Sequence, residues 1–143
     1  MKGGWSRACL MAAAVTIISG CQTASGADVI EESRSDSSAP DTFRDRTQLP
    51  LCRGVVLDQG ESLRPEALKC LEHGYAESGA ELAVASPTTE GDLIVSHYRI
   101  TPRAASLQIF VDATRDKFGG WNWEESSCPL PQGADSIAAC LGP

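Results

Sequence analysis

The spacing of hydrophobic residues changes several times along this 143-residue chain, and each change predicts a different element. Residues 8–18 form an apolar run in which Thr16 is the one polar side chain. From 22 to 50 that pattern is lost. Ser, Asp, Glu, Arg, Thr and Pro dominate, and Val29, Ile30, Phe43 and Leu49 are the only large apolar residues. So little apolar surface does not offset the entropy of ordering. Residues 22–50 are therefore expected to be a disordered tether, spanning about 30 Å as a coil.

Periodicity returns at Leu51. Residues 51–57 suit a short first strand, and Gly60 a turn. Residues 62–79 predict a helix, with Ser62 as its cap, Pro65 in the first turn and Gly79 closing it. On that helix Ala67, Leu68, Leu71 and Tyr75 share one face, while Glu66, Lys69, His73 and Glu77 lie opposite. Three alternating runs follow. Leu82 and Val84 mark the first. In the second, Ile94, Ser96, Tyr98 and Ile100 face one way and Val95, His97, Arg99 and Thr101 the other. Leu107, Ile109 and Val111 mark the third. Short connections between the runs predict antiparallel pairing. A sheet with one apolar face needs a cover, which the helix stripe supplies. The expected fold class is α+β: one helix packed on a three- to four-stranded antiparallel β-meander. Residues 119–127 could add a last strand and 135–140 one or two helical turns, so the folded domain is expected over 51–143.

At the N-terminus, Lys2 and Arg7 precede the apolar run. Eleven helical residues rise about 16 Å, against a bilayer core of about 30 Å, so the run fits the core of a secretory signal and not a membrane span. The stretch Ile18-Ser19-Gly20-Cys21 resembles the lipobox of bacterial lipoproteins: an aliphatic residue, two small residues, then cysteine. The resemblance implies a diacylglyceryl group on the Cys21 sulfur and cleavage just before Cys21, so that 1–20 is a signal peptide. It also implies residence on the extracytoplasmic face of a membrane. Gln22 carries no mark of inner-membrane retention, which leaves inner and outer membrane both open. The alternative is an ordinary secretory cut after Ser25-Gly26-Ala27, which releases a soluble protein.

Without residues 1–20 the chain keeps 10 basic and 19 acidic side chains. That balance argues against nucleic acid as a partner and against a polybasic grip on anionic lipid. The expected partners are the membrane, through covalent lipid, and an envelope protein or cell-wall component; no oligomeric state follows from the sequence. Beyond Cys21, four cysteines remain in an exported chain: Cys52, Cys70, Cys128 and Cys140. They suggest two disulfides. Cys52–Cys70 and Cys128–Cys140 are the preferred pairs, with Cys52–Cys128 the main rival. No two of these cysteines are close enough for a Cys-x-x-Cys metal site, and no cofactor motif is present.

Candidate chemistry is sparse. His73 and His97 are the only histidines, and no Gly-x-Ser-x-Gly elbow accompanies them, so no catalytic residue is assigned. Asp112 and Asp116 resemble the start of a calcium loop, but Lys117 and Trp123 occupy the positions where such a loop needs Gly and Glu. Adjacent Glu124 and Glu125 would face opposite sides of a strand. Trp121 and Trp123, two apart and expected on one side, are the candidate binding residues, because aromatic side chains enrich binding surfaces. The expected function is a lipid-anchored envelope protein of the binding or interaction type, not an enzyme. A small cell-wall-associated enzyme and a passive structural lipoprotein are the alternatives.

Overall fold

The computed structural model describes residues 25–141. The expected signal peptide 1–20 and the lipidation site Cys21 lie outside the described residues. The fold is α+β, built on a five-stranded mixed sheet in the order β1-β2-β3-β4-β5. The strands are β1 (Val55–Val56), β2 (Ala80–Pro87), β3 (Leu93–Ile100), β4 (Ser106–Asp112) and β5 (Trp123–Pro129). The last four form the expected antiparallel meander. β1 departs from it: it lies parallel to β2, with Val55 opposite Val84 and Val56 opposite Ala85. A parallel neighbour needs a crossover. The helix that follows β1 provides it by carrying the chain back to the start of β2.

That helix, α3 (Pro65–Ala76), covers one face of the sheet. Pro65 occupies its first turn as expected, but the N-cap is Arg64 and not Ser62, and it makes no side-chain capping bond. Leu71 is buried against Leu82, Val84, Ile100 and Leu107, with Ala67, Leu68 and Tyr75 at the margin. Contact is close at Gly74, where an added Cβ would stand 2.4 Å from the Cβ of Ala80. Gly79, at φ +80°, then turns the chain into β2. A 3-10 turn (Gly133–Ser136) and α4 (Ile137–Cys140) complete this layer, with Ile137 buried. Both preferred disulfides are present. Cys52–Cys70 joins the approach to β1 with α3, and Cys128–Cys140 joins β5 with α4, with Cα separations of 5.9 and 5.7 Å. No helix among the described residues is long and apolar enough to cross a membrane.

The other face is also covered, and here the sequence expectation is corrected. From Ser25 onward, the stretch read as a disordered tether folds. It forms α1 (Gly26–Arg34) and α2 (Asp41–Arg44), which pack on the face opposite α3. α1 opens with a capping box: the Ser25 hydroxyl accepts from the Asp28 N–H, and the Asp28 carboxylate accepts from the Ser25 N–H. Val29 and Ile30 bury against Ala83, Ala85 and Val95. Phe43 is 0% exposed and meets Phe110, Ala39 and Trp123. A few apolar residues suffice because Val29, Ile30 and Phe43 are all buried and because polar contacts, described below, supply the remainder.

Two placements of 22–50 differ in what Phe43 does. Replacing Phe43 by Ala should cost about 3–5 kcal/mol of unfolding free energy in a urea titration, the range for deleting a buried aromatic side chain. A tether would lose almost nothing.

Candidate functional site

The covered face carries a line of polar residues: Glu81 from β2, and His97 and Arg99 from β3, all buried. Alternation places them together, since Glu81 pairs with Arg99 and Ala83 with His97 across the strands. The Glu81 carboxylate accepts two hydrogen bonds from Arg46, at 3.0 Å from Nε and 3.1 Å from Nη2, and one from Arg99 Nε at 3.0 Å. Arg99 also donates to the Thr47 carbonyl at 2.6 Å, and Arg46 to the Phe43 carbonyl at 2.6 Å. The Arg46 guanidinium lies over the Phe43 ring, 3.6 Å from its centroid. Burial pushes the Glu81 pKa upward. The Arg46 hydrogen bonds and the charges of Arg46 and Arg99 outweigh it, so Glu81 lies below the usual carboxylate range and is ionised.

Beside this cluster, Ser33 of α1 and His97 share a hydrogen bond of 2.9 Å between Oγ and Nε2. His97 Nδ1 faces Glu81 Oε1 at 3.8 Å. We assign the proton to Nδ1, so that Nε2 accepts from the Ser33 hydroxyl. The order Ser–His–Glu resembles a hydrolase triad, and sequence reasoning did not find it because Ser33 lay in the expected tether. Three features set it apart from such a triad. Burial, with Arg34 and Arg46 nearby, lowers the His97 pKa to about 4 against the opposing pull of Glu81; a general base works best with a pKa near the operating pH. Glu81 is hydrogen-bonded by two guanidiniums, with that of Arg34 at 4.0 Å, and stands beyond hydrogen-bond distance of Nδ1. Ser33 and His97 are 1% and 0% exposed. A cleft of about 420 Å³ borders Ser33, with Asp36, Asp112, Thr114 and Arg115 on its walls.

The two tryptophans separate. Trp123 begins β5 and packs inward: its ring centroid lies 4.8 Å from that of Phe43, and its Nε1 donates to Asp36 Oδ2 at 3.0 Å. Trp121 sits in the β4–β5 loop (113–122) with φ 49° and is 66% exposed. They do not share a face, because Trp121 precedes the strand and the left-handed backbone at that residue breaks the alternation. The companion of Trp121 is Phe118, 76% exposed in the same loop, which the sequence reading passed over. The loop is fastened at several points. Lys117 donates to Asp92 through Nζ at 2.9 Å and through its backbone N–H at 3.1 Å, and Arg115 pairs with Glu32 of α1. Asp112 and Asp116 each accept from turn residues just after them, Thr114 for the first and Phe118 and Gly119 for the second. Glu125 accepts from Thr42 at 2.7 Å, and His73 lies on the exposed side of α3 beside Glu77.

Because the folded state depresses the pKa of His97 from about 6.5 to about 4, it favours the neutral ring. The stabilisation is present above pH 6.5 and is lost as pH falls toward 4. It amounts to about 3 kcal/mol at 1.36 kcal/mol per pH unit. Ionised Glu81 adds loss in the same direction. Unfolding free energy measured from pH 7 to pH 4 should fall accordingly, and His97→Gln should flatten the slope. An equal slope in that variant would remove His97 as its source.

No protein-family model matches the chain, and neither does any curated protein or solved structure.

Proposed function

We propose that this chain is a lipid-anchored protein of the bacterial envelope, attached at the extracytoplasmic face of a membrane through acylated Cys21. Its domain acts as a binding or interaction module and not as an enzyme. The reading of location draws on the order of basic residues, apolar run and lipobox-like motif at the N-terminus. Two disulfides in a domain this small agree with an oxidising compartment. The reading of role is carried by the β4–β5 loop, which holds Phe118 and Trp121 out to solvent while Asp92 and Glu32 fasten it from two other elements. Two large aromatic side chains on a fixed loop offer contact area at little further entropic cost. The Ser33–His97 pair does not favour the enzyme alternative, since both side chains are fully buried.

Intact mass spectrometry of native protein, before and after thiol reduction, tests this reading. The mass should show loss of residues 1–20 and gain of acyl chains on Cys21, with four hydrogens added on reduction of the two bridges. A protein cut after Ala27 and free of acyl chains would contradict it. The roles of the tryptophans separate by stability. Trp121→Ala should stay within about 0.5 kcal/mol of the parent, as exposed substitutions do. Trp123→Ala should lose about 2 kcal/mol or more. Equal losses would place Trp121 in the core.

A further inference from the structure

Cross-strand pairing brings Val56, Ala85, Val95, Asp112 and Trp123 into one row across the sheet. Beyond that row, at the same end, lie the β2–β3 turn with Asp92 and the β4–β5 loop with Phe118 and Trp121. α1 begins beside the row too. Gly26 sits so close to Val56 that an added Cβ would stand 2.4 Å from Val56 Cγ1. Four exposed large apolar side chains stand out among the described residues: Leu51, Val56, Phe118 and Trp121. Three of them, all but Leu51, gather at this end. Leu51 is bridged to Glu81, toward the other end of β2.

Chain length decides what this end faces. Four Cα–Cα links join Cys21 to Ser25, and four residues reach at most about 14 Å. Folding that starts at Ser25 removes the long spacer, so an acyl group on Cys21 holds the start of α1 within that distance of the lipid. From this geometry we infer that the β4–β5 loop docks in the bilayer that carries the anchor, with Trp121 and Phe118 seated at the interface between headgroups and acyl chains. The inference rests on the proposed acylation of Cys21 and names the partner of the same loop.

The chemistry fits an interface. Tryptophan concentrates at membrane–water boundaries, where its ring is apolar and its N–H stays wet. Exposed acids at this end, Asp28, Asp58 and Glu90, disfavour attraction to anionic headgroups. Lys117 and Arg115 are already paired with Asp92 and Glu32. The docking is therefore apolar and suits zwitterionic lipid. Two rings alone bind weakly. The covalent lipid makes their insertion intramolecular, at a high effective concentration.

The test uses acylated protein in phosphatidylcholine vesicles, with and without lipid brominated near the top of its acyl chains. Once residues 1–20 are gone, Trp121 and Trp123 are the only tryptophans. The parent should lose emission in brominated vesicles, and the emission lost should come from its blue-shifted component. Trp121→Phe, a change at an exposed site, should show no such loss. If Cys21 carries acyl chains and parent emission is the same in both vesicles, the loop does not insert; it is then open to a soluble partner, and the inference fails alone. If native Cys21 is unmodified, the inference fails together with the anchor on which it depends.

Discussion

The ionised carboxylate of Glu81 is the group on which the architecture turns. A charge buried on a sheet face is tolerated only when its lone pairs are filled, and the partners that fill them come from two directions. Arg99 is its cross-strand neighbour, whereas Arg46 arrives from the segment that follows α2. Without residues 25–50 the face would present Glu81, His97, Arg99 and Phe110 to water, beside a patch of small apolar residues. With them, Phe43 slides under the Arg46 guanidinium and Ser33 reaches His97. The ionic contacts specify where the segment lies, and the apolar contacts of Val29, Ile30 and Phe43 make that position stable.

The sheet therefore has two different faces. Toward α3 it is aliphatic, with Leu82, Val84, Ile100 and Leu107 in an ordinary core closed by Ile137. Toward α1 and α2 it combines small residues with a charged and aromatic patch. Disulfides staple only the first side, joining α3 to the approach to β1 and α4 to β5. The second side is held without covalent links, by Glu81, by the Ser33–His97 bond and by Thr42 on Glu125. Acid therefore weakens the two sides unequally, since the buried titrating groups Glu81 and His97 lie on one of them.

Local signals were legible in the sequence, and signals that depend on distant partners were not. Alternation located β2, β3 and β4 and sorted their faces correctly, including His97 and Arg99 opposite Tyr98. The 3.6-residue spacing found the buried face of α3, and near neighbours in sequence gave the right cysteine pairs, 18 and 12 residues apart. β1 escaped as a parallel strand because two residues carry no period. The segment 25–50 was misread because composition counts apolar residues and not polar partners. Arg46 lies 35 residues from Glu81, and Ser33 lies 64 from His97. One local clue was available, the Ser25-x-x-Asp28 capping box, which stood inside a stretch that also reads as a cleavage site. For the tryptophans, strand alternation was extended to Trp121, two residues before β5 begins.

A compact start at Ser25 changes the meaning of the N-terminus. The proposed acylation of Cys21 would hold a fold that begins at Ser25 within about 14 Å of the lipid, whereas a long stalk would let the domain sample the space above the membrane. That picture requires α1 to be a stable part of the fold. Amide hydrogen exchange of the intact mature protein measures it most directly. The account expects Val29 to Arg34 to exchange as slowly as the amides of β2 and β3, through global unfolding. Exchange of those amides at the rate of an unstructured peptide, with β2 and β3 still protected, would contradict it.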